Sequence, residues 1–173
     1  MTWQIDPTHS KIGFTGRHMM VAKVRGHFGE FAFEGEINPE SLETSKATLK
    51  VNVASIDSGF DQRDNHLRSA DFFDAEKYPQ LTFTTTKVAR AKGNDYQISG
   101  DLTIKGVTRA VVFEAEVNGP VEVFGTQKIG ISAETKINRK DWGLSWNMPL
   151  GVEGLLVSDE ITLTLDAELA EVV

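Results

Sequence analysis

The chain has 173 residues, of which 40% are hydrophobic and 25% charged, with a net charge of −7 and no cysteine. These totals exclude disulfides, thiolate chemistry and Cys-ligated zinc, and they argue against a general nucleic-acid binder, which needs a basic surface. No run reaches the roughly 18 apolar residues of a membrane-spanning helix; the opening residues Met1 to Pro7 lack the apolar core of a signal peptide, so the chain as written is expected in the cytoplasm, or in the periplasm if a leader was removed.

In chain order, strands are expected at about 10–17, 28–37, 47–56, 80–90, 95–105, 107–118, 127–137 and 157–170. Seven of these stretches alternate apolar and polar residues with period two, the signature of a half-buried strand. In 28–37, Phe31, Phe33, Gly35 and Ile37 share one face and Glu30, Glu34 and Glu36 the other. In 47–56, Ala47, Leu49, Val51 and Val53 oppose Thr48, Lys50 and Asn52. The clearest run is the last, where Ile161, Leu163, Leu165, Ala167 and Leu169 face away from Glu160, Thr162, Thr164, Asp166 and Glu168. Asn38-Pro39 ends the second strand. Gly93-Asn94 and Lys105-Gly106 read as tight reversals, and Asn118-Gly119-Pro120 as a strand break. Between 58 and 79 the pattern changes. Asp61 to Arg68 reads as a short helix, with Ser58 or Asp61 as N-cap and an Asp64–Arg68 pair at i, i+4. Asp71 is placed to cap a second short turn through Lys77, ending before Tyr78-Pro79.

So many half-buried strands with so little helix must bury their apolar faces against one another. A sandwich or a closed barrel does this, and a closed barrel can hold a ligand. Short turns between neighbours imply antiparallel up-and-down order. No repeat or linker is visible, so residues 1–173 read as one domain.

Two groups of residues stand out. Asp61, Arg63, Asp64, His66, Arg68 and Asp71 are either a polar mouth, whose guanidinium forks bind an oxyanion, or a solvated helix held by its own ion pairs. Residues 138–148 carry Trp142, Trp146 and Met148, either lining an apolar cavity or plugging the core. The four histidines, His9, His18, His27 and His66, form no H-x-x-x-H or H-x-H pair, so no sequence-local zinc site is present. No G-x-S-x-G elbow or dinucleotide-binding loop occurs.

These groups also carry a resemblance. The segments Trp3 to Ser10, Arg17-His18-Met19, Val24 to Phe28, Arg63 to Phe73, Tyr78-Pro79 and Asn138 to Leu144, in that order, resemble the YceI-like family, the bacterial polyisoprenoid-binding proteins. The resemblance implies an all-β fold: an extended, lipocalin-like antiparallel barrel of eight strands, here with one or two short helices near one end. It also implies a pore that takes up a polyprenyl pyrophosphate, an isoprenoid quinone or a similar amphiphile. Many relatives carry a secretion signal and work in the periplasm; with no such signal in the residues as written, this chain is expected to differ from them.

The resulting expectation is a carrier of a long-chain isoprenoid lipid, without catalytic residues, metal or cofactor. Phe14, Met20, Leu67 and Phe72 are expected on its apolar wall, with Phe83, Trp142, Trp146 and Met148. Arg17, His18, Arg63, His66 and Arg68 are expected at the polar end. A homodimer is compatible with the sequence; stable membrane insertion is not expected. Two other readings stay open. One is an enzyme using His66 as general base, oriented by Asp64 or Asp61. The other is a filled barrel that binds a protein, because alternating strands look the same around a core and around a cavity.

Overall fold

The computed structural model describes residues 2–18, 21–146 and 158–172. Among the described residues, eleven strands form one antiparallel sheet. They are β1 (Thr2–Ile5), β2 (Lys11–His18), β3 (Ala22–Phe28), β4 (Phe31–Glu36), β5 (Lys46–Asn52) and β6 (Ile56–Asp57), then β7 (Gln80–Lys92), β8 (Asp95–Ile104), β9 (Val107–Val123), β10 (Thr126–Asn138) and β11 (Glu160–Glu171). One α-helix, α1 (Asp61–Arg68), lies between β6 and β7.

The first six strands are pieces of three longer ribbons. β1 and β2 both pair with β11, Ile5 opposite Leu169 and Lys11 opposite Asp166, with a 3-10 turn at Pro7–His9 between them. Gly29-Glu30 separates β3 from β4, and the turn Val53–Ser55 separates β5 from β6. Counted as ribbons the strands number eight, each beside the next in chain order, and the pairing of β1 and β2 with β11 closes the ring. The fold is a closed antiparallel up-and-down barrel, as the alternation implied.

Local sequence explains the details. Lys105 and Gly106 both take positive φ, 52° and 76°, in the two-residue turn between β8 and β9, the geometry that matches strand twist. The expected break at Asn118-Gly119-Pro120 is instead a bulge, and β9 runs on to Val123. The register slips there, from Lys128↔Val121 to Gly130↔Asn118, so the missing N–H of Pro120 leaves no ladder bond unmade. At α1 the N-cap position is Phe60, with no side-chain cap bond. Ser58 turns instead to Asp64, to which its backbone N–H donates at 2.9 Å. Asp64 is thereby occupied, and Arg68 reaches back to the carbonyls of Ala54 and Ile56, so these two do not form the expected i, i+4 pair. Residues 70–77 form turns and not a second helix.

Two apolar clusters fill the barrel unequally. At one end Trp3, Tyr96, Ile129, Leu169 and their neighbours pack together, and Trp3 Nε1–H donates to the Ile37 carbonyl at 3.1 Å. Near α1 a second cluster includes Phe28, Val51, Ile56, Leu102, Ile104 and Trp142. This one surrounds a cavity.

Candidate ligand-binding site

The cavity holds about 720 Å³, within the range of small-molecule pockets, about 300–1,000 Å³. Its walls are the inward faces of the strands: Ile12 and Phe14 on β2, Leu102 and Ile104 on β8, and Ile161 and Leu163 on β11. Helix α1 lies at its mouth. Phe60, Arg63 and Leu67 line the opening together with Gln62 and His66, the i, i+3, i+7 spacing that puts side chains on one helical face.

Polar groups are few and cluster toward the helix. Arg63 is braced by Ser58: its Nε–H donates to Ser58 Oγ and its Nη2 to the Ser58 carbonyl, both at 2.7 Å. Ser58 is in turn held by the buried carboxylate of Asp64. The guanidinium is thus pre-oriented, which lowers the entropic cost of binding an anion. His66 Nε2 lies 2.9 Å from Asp71 Oδ2. Its ring meets Trp146 and Phe72 edge-on, with centroids 4.5 and 5.1 Å away. Arg17 lines the mouth from β2.

Arg139 also faces the cavity and is only 3% exposed. It donates to the carbonyls of Leu144, Trp146 and Ser158, and pairs with Asp159 at 3.7 Å. Burial pushes its pKa down, and the Asp159 carboxylate opposes that shift. Arg139 therefore organises the segments 144–146 and 158–159 around the mouth. Nothing in its spacing singled it out in the sequence; the signal available was a basic residue directly after the alternating run of β10.

Of the residues expected in the site, Phe14, Arg17, Arg63, His66, Leu67, Phe72 and Trp146 are brought together on this one surface. Three others lie off it. Arg68 binds backbone carbonyls and Asn65 Oδ1. Trp142 is buried, its indole N–H donating to the Leu102 carbonyl at 2.9 Å. Phe83 packs against Phe113 at 5.1 Å and lies over Gly100, where an added Cβ would meet its ring at 2.5 Å. His18 ends β2 opposite Ala22; its side chain, like Met20 and Met148, lies outside the described residues.

The arrangement holds an apolar body with a hydrogen-bonding, cationic rim at one end.

The family model of the YceI-like domain matches residues 3–169. The chain belongs to the YceI-like family. Among relatives, this YceI-like chain is 37% identical to the UPF0312 protein SAS2572 of Staphylococcus aureus (strain MSSA476), with 94% of each chain covered. Among solved structures, it is similar to the YCEI protein of Campylobacter jejuni, with a TM-score of 0.80, 32% identity, and 91% of this chain and 90% of that one covered. BcnA of Burkholderia cenocepacia aligns with a TM-score of 0.78 and 26% identity, over 95% of this chain and 98% of that one. A polyisoprenoid binding domain from Saccharophagus degradans, 18% identical with a TM-score of 0.70, shares the fold. Among the described residues no helix is long and apolar enough to cross a membrane.

Proposed function

We propose that this YceI-like protein carries a long-chain isoprenoid lipid, a polyprenyl pyrophosphate or isoprenoid quinone, with its apolar chain in the cavity and its head group among Arg17, Arg63 and His66. The observation that carries the reading is an apolar cavity of about 720 Å³ whose polar groups gather at the helix-bearing mouth. Each buried CH₂ contributes roughly 0.8 kcal/mol, so a long chain offsets an immobilisation cost on the order of 4–15 kcal/mol. Contacts of this kind discriminate weakly, with about 1–3 kcal/mol per methylene, and the protein is therefore expected to accept neighbouring chain lengths. A polar solute of similar size gains nothing from such walls.

The reading also agrees with the domain from Saccharophagus degradans described as polyisoprenoid binding. The test is a titration of lipid-free protein with an isoprenoid quinone, followed by tryptophan fluorescence. Trp146 lies on the cavity, so saturable quenching that is largely lost in Trp146→Phe is expected. No quenching at any quinone concentration contradicts the proposal.

A further inference from the structure

The barrel wall has a gap. β2 pairs with β3 from Ile12↔Phe28 to His18↔Ala22, and β1 pairs with β4 only at Thr2↔Glu36 and Trp3↔Gly35. Between these two ladders the ribbons part, and each holds to its other neighbour. Asp6 N–H donates to the Glu168 carbonyl at 2.9 Å, Gly29 N–H to the Ser55 carbonyl at 3.1 Å, and Glu30 N–H to Ser55 Oγ at 3.0 Å. A cleft of about 490 Å³ occupies the seam, with Pro7, His9, Lys11, His27, Phe28 and Phe31 among its walls.

Among the described residues, Phe28 alone lines both this cleft and the main cavity. The two spaces therefore adjoin at Phe28. That ring touches Phe14 and Phe73 at centroid distances of 5.8 and 6.2 Å, contacts without polar direction that another apolar group can replace. The axial route past the cavity floor is different. Trp3, Ile129 and Leu169 are 1%, 2% and 1% exposed, and a close-packed cluster of that kind resists insertion. A chain that outgrows the cavity meets one buried ring on the lateral route, Phe28 at 6% exposure, and a packed cluster of several side chains on the axial one.

We propose that the seam cleft is a lateral subsite of the ligand pocket, which takes the apolar end of a chain too long for the cavity once that end passes Phe28. The inference rests on the carrier reading above and adds where chain length is read. The head group stays at the helix-bearing mouth beside Arg17 and Arg63, because at the cleft the carboxylate of Asp166 stands among the lining residues and His9 is already engaged by Asp6 at 2.9 Å.

The experiment compares two probes with one head group, farnesyl and undecaprenyl pyrophosphate. They are titrated into the wild type, Lys11→Trp and Lys11→Gln. Lys11 is exposed on the rim of the cleft and away from the cavity, so both variants are expected to fold. Filling the cleft in Lys11→Trp lowers undecaprenyl affinity about tenfold relative to Lys11→Gln, the loss of a couple of buried methylenes, and leaves farnesyl affinity unchanged. Equal affinities in the two variants for both probes overturn the subsite. Binding of neither probe by the wild type overturns the carrier reading, and the subsite with it. A photoreactive group at the far end of the long probe gives a second readout: labelling of residues 7–11 or 27–31 supports the subsite, and labelling confined to other residues overturns it.

Discussion

The two ends of the barrel are made of the same alternating strands, yet one is filled and the other hollow. At the filled end Trp3 enters from the four-residue β1 and closes the axis over Ala115, Ala133 and Leu169. At the other end glycines sit where inward side chains would, and Phe14 lies across Gly26 so closely that an added Cβ would stand 2.3 Å from its ring. The helix spans the opening without entering it. Alternation sets which face is inside; the sizes of a few inward side chains decide whether the inside is a core or a pocket.

The contrast is sharpest for large-to-small changes. Trp3→Ala is expected to cost about 3–5 kcal/mol in urea unfolding, through the cavity it leaves and the lost bond to Ile37. Leu163→Ala, on the wall of a space that is already empty, forfeits fewer contacts and is expected to cost about 1–2 kcal/mol. Equal costs would break the distinction. The mirror experiment adds volume. Ala133→Leu in the filled end is expected to destabilise by about 1–3 kcal/mol through overpacking. Leu163→Phe is expected to change stability by less than about 1 kcal/mol and to reduce the amount of long-chain lipid held.

Smaller effects report on the rim. Arg63→Ala should weaken binding of a pyrophosphate-bearing lipid about tenfold, the order of one charge-assisted hydrogen bond, measured by calorimetry. Arg68→Ala should leave that affinity unchanged and lower stability, because its guanidinium serves backbone carbonyls. The smallest effect lies at the seam. Hydrogen bonding to Asp6 raises the His9 pKa above its ordinary 6.5, and bonds from Thr8 and then His9 hold Asp6 below its ordinary 3.8. The His9 contribution is full below pH 6.5 and fades as pH rises through the raised value; the Asp6 contribution is present above 3.8 and fades as pH falls. The contact is therefore strongest between those limits. In an NMR titration, Asp6→Asn should return His9 toward 6.5.

Much of this was legible in the residues. The run from Ile161 to Leu169 became β11 with those side chains inward, and Asp61 to Arg68 became α1. The ribbon 22–28 was not read as a full strand, because one of its inward positions is Gly26 and the apolar pattern has a hole where Phe14 lies. Asn118-Gly119-Pro120 looked like a break because a bulge and a terminus share the same turn residues. The site divided along a similar line. Arg63 and Arg68 are chemically alike and five residues apart, but only Arg63 lies on the helical face turned to the cavity, while Arg68 is satisfied by the chain at Ala54 and Ile56. Arg139 stands in the segment 138–144 that carries the resemblance but was assigned no role there, because that role depends on carbonyls at 144, 146 and 158, which only the fold brings to it.

The central claim is that the hollow end holds an apolar chain. Native mass spectrometry of the gently purified protein, followed by organic extraction, tests it most directly. The account predicts a mass excess that is released as a prenyl lipid, and its loss when Leu163→Trp fills the cavity. A bare polypeptide mass that stays unchanged after incubation with polyprenyl pyrophosphate and isoprenoid quinone would contradict it.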